Sequence, residues 1–177
     1  MRIISGYLGG RTFNPTPGHR THPMSEKIRG ALFNALGDVH GLTFLDAYAG
    51  TGALSFEAIS RGATSATAID LDQAAARTIA ENVQLLGVED KVTHVRAAVK
   101  SWSRRHQNEQ FDVVILDPPY DNFDPKDLLN LRKHAKQGGV IVLSLPPKTG
   151  FLLSESNQKL LDVKNYGDAE LFFYRQL

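Results

Sequence analysis

From Thr43 onward the chain alternates short apolar runs with segments of helical period, and that alternation leaves few folds open to it. The runs cover residues 43–47, 65–70, 91–96, 111–116 and 140–145. Between them lie helical patterns over residues 53–61, the stripe Ala76, Ile79, Ala80, Val83 and Leu86, a short pattern near 99–106 and another near 125–136. Near-continuous apolar strands joined by helices are what a parallel sheet covered on both faces requires. The ending departs from this rule. Residues 159–165 and 169–175 are separated only by Tyr166-Gly167-Asp168, a turn short enough to make a hairpin. The expected fold is α/β and Rossmann-like, a seven-stranded, mainly parallel sheet with a C-terminal antiparallel hairpin.

Upstream, residues 1–20 hold Gly6, Gly9, Gly10, Pro15, Pro17 and Gly18 around short apolar pieces, the pattern of a hairpin or irregular arm. Residues 25–36 return to helical period through Ile28, Ala31, Leu32, Ala35 and Leu36, with Ser25 placed to cap the first turn. The expected division is a small basic arm over residues 1–24 and one domain over 25–177. Apolar content of 42% and charged content of 22% suit a soluble globular domain. No apolar run approaches a membrane span and the N-terminus lacks a signal-peptide core, so a cytoplasmic protein is expected.

The chain has no cysteine, which removes disulfides, thiolate metal sites and cysteine nucleophiles. No histidine shows metal-ligand spacing, so no metal site is expected. The net charge of +1 is unevenly spread: Arg2, Arg11, Arg20, Lys27 and Arg29 face only Glu26 within residues 1–30, a local +4 on a body of −3. A basic arm of this kind points to a phosphate-rich partner.

Three stretches carry chemistry. In the first, Phe44-Leu45 ends at Asp46 and is followed by a loop with Gly50 and Gly52 before a helix begins: a strand, a glycine turn and a helix N-terminus, the arrangement that holds nucleotide-like ligands. A dinucleotide fingerprint would have a third glycine near position 55, where Ser55 stands. The Asp46 carboxylate would repel two phosphates and attract a ligand amine. In the second, Asp70 closes the next strand, where an acid either receives ribose hydroxyls or caps the following helix; Asp72 is the nearer cap. In the third, Asp117-Pro118-Pro119-Tyr120 follows a buried strand. Two prolines fix an extended turn with no N–H at either position. The Asp117 carboxylate and the backbone carbonyls can then face a ligand amine, with Tyr120 as a flat surface for a base.

Asp46-x-x-Ala49-Gly50-x-Gly52, Asp70 and Asp117-Pro118-Pro119-Tyr120 together resemble the S-adenosylmethionine-dependent amino-methyltransferases. Arg2-Ile3-Ile4-Ser5-Gly6, Gly10-Arg11, Thr21-x-Pro23, Ser25 and Ala31-Leu32-Phe33-Asn34 narrow the resemblance to the RsmD family, over essentially the whole chain. The resemblance implies a class I methyltransferase fold and methyl transfer from S-adenosylmethionine to the exocyclic N2 of a guanine in 16S ribosomal RNA. It implies catalytic roles for Asp117, Pro118, Pro119 and Tyr120. Cofactor contacts would come from Asp46, Ala49, Gly50, Gly52, Asp70, Leu71 and Ala98. RNA contacts would come from Arg2, Arg11, Arg20, His22, Lys27 and Arg29. The partner would be 16S ribosomal RNA or the small ribosomal subunit, met by a monomer. Ala97-Ala98 stand where the family carries an aspartate toward the adenine. Two further readings stay open: an adenine- or cytosine-amino methyltransferase of DNA, and a non-catalytic RNA-binding protein on the same scaffold.

Overall fold

The structure, a computed structural model, describes residues 1–17, 24–121, 123–153 and 157–177. Among these, seven strands form one sheet: β1 (Thr43–Asp46), β2 (Ser65–Asp70), β3 (Val92–Arg96), β4 (Phe111–Leu116), β5 (Ala135–Leu145), β6 (Gln158–Asn165) and β7 (Glu170–Gln176). Their order is β3-β2-β1-β4-β5-β7-β6. β1 to β5 run parallel, and β7 lies antiparallel between β5 and β6. The Tyr166 N–H donates to the Ala169 carbonyl (2.9 Å) and closes the expected hairpin.

Among the described residues, five α-helices cover the sheet: α1 (Glu26–Leu36), α2 (Ala53–Ser60), α3 (Gln73–Leu86), α4 (Val99–Arg105) and α5 (Pro125–Leu131). The starts of α1 and α3 follow the expected caps. The Ser25 hydroxyl accepts from Ile28 N–H (3.2 Å), and Asp72 accepts from Ala74 and Ala75 N–H (2.8 and 2.9 Å). Alternate strand residues enter two separate cores. Phe44, Val113, Ile115, Val142 and Phe173 pack toward α1, α2 and α3; Leu45, Val114, Leu116, Leu143 and Phe172 pack toward α4 and α5 around Trp102.

One element differs from expectation. The helix predicted near 125–136 ends at Leu131, continues as a single 3-10 turn over Arg132–His134, and gives way to β5 at Ala135. Gly138 and Gly139 therefore lie within the strand, not before it. The pairing with β4 jumps from Phe111↔Ala135 to Val113↔Val140, so these glycines form an irregularity in the ladder. The reason is steric: Gly138 has φ +77°, and a Cβ on Gly139 would come within 2.9 Å of the Asp112 carbonyl and 2.8 Å of that of Lys136.

The N-terminal segment is tied to the same core. It folds back on itself through an antiparallel bridge between Arg2 and Thr12, and Ile3, Leu8 and Phe13 are buried against α2 and its neighbours. Burial of each such side chain stabilises by about 1.5–3 kcal/mol. Glu57 of α2 does the polar half of this work. Fully buried, it accepts from the N–H groups of Ile4 and Ser5 (2.8 and 3.1 Å), pairs with Arg61 (2.8 Å) and lies 3.6 Å from the buried Arg29.

Glu57→Ala would leave the Arg29 charge buried beside two unpaired backbone donors. Urea unfolding is expected to show a loss of about 3–5 kcal/mol; a loss below about 1 kcal/mol would contradict the anchoring role.

Candidate active site

The parallel register brings the C-terminal ends of β1, β2, β4 and β5 to one edge. Asp46 lies opposite Ala68 and Ile115, Asp70 opposite Arg96, and Leu116 opposite Leu143. The chain steps outward from β1 through β2 to β3, then crosses back to β4. The reversal of strand order thus falls between β1 and β4, where open α/β sheets leave a crevice for ligands. Asp46 and Asp117 stand on its two sides.

Asp46 is 1% exposed. Its Oδ2 accepts from the Ser55 hydroxyl (2.8 Å), and the Ser55 backbone N–H also faces the carboxylate, so Asp46 serves the first turn of α2 from the strand before it. Its Oδ1 is buried without a hydrogen-bond partner among the described residues. Burial pushes the carboxyl up to about 7, with the nearby acids Asp117 and Asp70 adding to the rise. A buried acceptor with an unused lone pair suits a cationic donor.

The loop that follows is shaped by its two glycines. Gly52 needs φ +80°, and a Cβ there would meet the Phe56 ring at 2.7 Å. Gly50 is the opposite case: a Cβ would enter open space, so a ligand can approach this backbone closely. The Ala49 N–H donates to the Ile69 carbonyl (2.9 Å) and the Gly50 N–H to Asp70 (2.8 Å), which joins the loop to the end of β2. Asp70 also accepts from Asp72 N–H (2.8 Å), and burial raises its carboxyl. Asp72, not Asp70, caps α3. Leu71 is 65% exposed despite being apolar, and Ala97 N–H donates to the Asp70 carbonyl (3.0 Å), so Leu71 and Ala98 flank the same corner. Asp46, Ala49, Gly50, Gly52, Asp70, Leu71 and Ala98 thus line one edge. Among the described residues no cluster of acids and histidines is set to hold a metal.

Across the crevice, Asp117 is half-buried, Pro118 buried and Pro119 exposed. Burial pushes the Asp117 carboxyl up to about 6, against a lowering hydrogen bond from Ser144. Tyr120 is 41% exposed, and its hydroxyl lies 3.3 Å from that of Ser144. Two polar residues here were not among the expected site residues. In the sequence, Ser55 signals only that a third glycine is absent. Ser144 is the one polar residue in the run over 140–145, and that isolation was its only signal.

The basic residues divide. Lys27 and Arg2 are exposed, Arg2 paired with Glu26 at 2.8 Å. Arg11 donates to the carbonyls of Leu85 and Leu86 (2.9 and 3.1 Å) and so serves the C-terminus of α3. Arg29 corrects its expected role. It is fully buried, donates to the Arg2 carbonyl and faces Glu57, so it has no surface to offer a phosphate. Arg20 and His22 lie outside the described residues.

Comparison with known proteins adds an independent line. A family model described as conserved hypothetical protein 95 matches residues 1–175. The small-subunit ribosomal RNA methyltransferase D of Buchnera aphidicola (strain APS) is 33% identical over 97% of this chain and 91% of its own length. The protein of that name from Escherichia coli K12 is 30% identical over 74% and 66%. The solved structure of yhhF from Escherichia coli superposes with a TM-score of 0.86 at 27% identity, covering 99% of this chain and 97% of that one. SMU.776, solved with SAH bound, shares the fold at TM-score 0.66 and 19% identity, over 84% of this chain and 48% of its own.

If Asp46 receives the amino group of S-adenosylmethionine, its protonation sets cofactor affinity. Asp46 is neutral below about 7 and charged above it. Calorimetric titration from pH 8 to pH 5.5 is expected to show the dissociation constant rising by up to about tenfold per unit below 7. A flat profile would separate Asp46 from the cofactor's charge.

Proposed function

We propose a function on the premise that the chain belongs to the RsmD family, whose model is described as conserved hypothetical protein 95: it is an S-adenosylmethionine-dependent methyltransferase that methylates the exocyclic N2 of a guanine in 16S ribosomal RNA. The observation that carries the reading is the pair of carboxylates facing each other across the switch point, one with an unused buried oxygen and the other set in a proline turn.

The residues fit the cofactor. Asp46 would hold the methionyl amino group, Asp70 the ribose hydroxyls, and Leu71 and Ala98 the adenine by packing, with the Gly50 backbone passing close beneath. Bound there, S-adenosylmethionine supplies an electrophilic methyl group. The chain's own task is the amine. Guanine N2 is a poor nucleophile because its lone pair is delocalised into the ring. Hydrogen bonds from its protons to the Asp117 carboxylate and the Pro118 carbonyl favour a pyramidal nitrogen and fix its direction. Positioning of this kind is worth about 7–11 kcal/mol in well-oriented reactions, so no covalent intermediate is required. The amine proton leaves to Asp117 or to solvent. A helical base must be extruded to reach the pocket, and stacking on Tyr120 would return about 1–3 kcal/mol.

Exposed Lys27 and Arg2 would meet phosphates, with Arg20 and His22 proposed from the sequence. The substrate would be naked 16S RNA or the small subunit in the cytoplasm, engaged by a monomer. No helix among the described residues is long and apolar enough to cross a membrane.

Methyl transfer to 16S RNA and to small subunits from a strain lacking the enzyme, followed by nucleoside mass spectrometry, is expected to yield N2-methylguanosine. Asp117→Ala should lower that yield by roughly 100-fold or more while cofactor affinity stays within about threefold. N6-methyladenosine or N4-methylcytidine as product would contradict the substrate assignment.

A further inference from the structure

We propose that Ser144 is a positioning residue for methyl transfer: its hydroxyl couples the Tyr120 phenol to the Asp117 carboxylate and fixes both walls of the pocket that receives the amine. The inference rests on the role given to Asp117 above.

The fold places Ser144 there by register. Leu116 pairs with Leu143, so the next residue of each strand, Asp117 and Ser144, lie side by side at the sheet edge. Ser144 has no exposure and sits between fully buried Leu143 and Leu145 on a strand paired on both sides. A hydroxyl in such a place costs free energy unless it is hydrogen-bonded. Its hydroxyl lies 3.3 Å from that of Tyr120, and strand register sets it beside the Asp117 carboxylate, whose pKa it lowers.

The proton inventory gives the chain its direction. An ionised carboxylate only accepts, so the Ser144 proton goes to Asp117; the Ser144 oxygen then accepts from the Tyr120 hydroxyl at 3.3 Å. Two consequences follow for the reaction. The exposed ring of Tyr120 gains an anchor that sets its orientation. One lone pair of Asp117 is occupied, which leaves the others for the amine and holds the carboxylate in one rotamer. The charged groups facing the pair are Asp46 from β1 and Asp168 from the β6–β7 turn, both acidic. Neither favours ionised Asp117, whereas the Ser144 hydroxyl does.

The experiment compares Ser144→Ala, Ser144→Cys and Ser144→Thr with Asp117→Asn in methyl transfer to small subunits, with pH profiles, cofactor titration and thermal melting on each. In Ser144→Ala, kcat is expected to fall roughly tenfold with the cofactor dissociation constant within about twofold, and the acid limb of kcat to move up by roughly one pH unit, the equivalent of a charged hydrogen bond. Ser144→Cys, close in volume and a weak donor, should melt like the wild type yet shift the acid limb as alanine does. Ser144→Thr should return the limb toward its original position. Wild-type turnover and an unmoved acid limb in the Ala and Cys variants would overturn the proposal, as would lower turnover with an unmoved limb, the mark of a purely structural role. If Asp117→Asn itself keeps wild-type turnover, the assignment of Asp117 fails. If that variant is inactive while Ser144→Ala and Ser144→Cys are normal, the coupling alone fails.

Discussion

The burial of Asp46 is the constraint on which the rest of this edge depends. A carboxylate with 1% exposure is expensive unless its oxygens are met, and one is met by the Ser55 hydroxyl at the start of α2. That bond ties β1 to α2, and Gly52 permits the tight turn between them by leaving room for Phe56. The other oxygen has no partner among the described residues. The protein thus keeps one acceptor in a low-dielectric site where a cation would be held strongly, and Asp70 draws the Gly50 backbone into place beside it. Asp117 adds a second negative group across the crevice, and its proximity helps raise Asp46. Two acids under mutual repulsion at a strand-order reversal form a site for a positively charged ligand, and poorly suit a pyrophosphate.

The N-terminal segment joins the same structure by another route. Its apolar residues are buried against α2, and its backbone donors at Ile4 and Ser5 are satisfied by Glu57, two residues on from Ser55, which holds Asp46. Arg29 and Arg61 balance the charge of Glu57. Part of the basic character of this region is therefore interior and serves the fold. Among the described residues, Lys27, Arg11 and the exposed end of Arg2 face solvent.

Strand periodicity made most of this legible in the sequence. A residue run buried on both faces, such as 111–116, has little choice but a central strand, and the acids that end such runs must collect at one edge. Cap chemistry located α1 and α3 through Ser25 and Asp72. Sequence reasoning failed where a residue's role depends on partners remote in the chain. Arg29 looked like surface charge because nothing nearby in sequence announces Glu57, 28 positions on. Ser144 is silent within an apolar strand, since Asp117 is set beside it only by strand register. The glycine pair at 138–139 resembled a boundary because a kink inside a strand and a turn before one use the same residues.

The central claim is that the two carboxylates divide the labour, Asp46 for the cofactor and Asp117 for the amine. A crystal structure with S-adenosylhomocysteine bound tests this most directly. The predicted result is the ligand's amino group within hydrogen-bond distance of Asp46 Oδ1, its ribose hydroxyls on Asp70, and Asp117 free of contact with it. A ligand whose amino group is bound by Asp117, or which leaves Asp46 Oδ1 without a donor, would contradict that division.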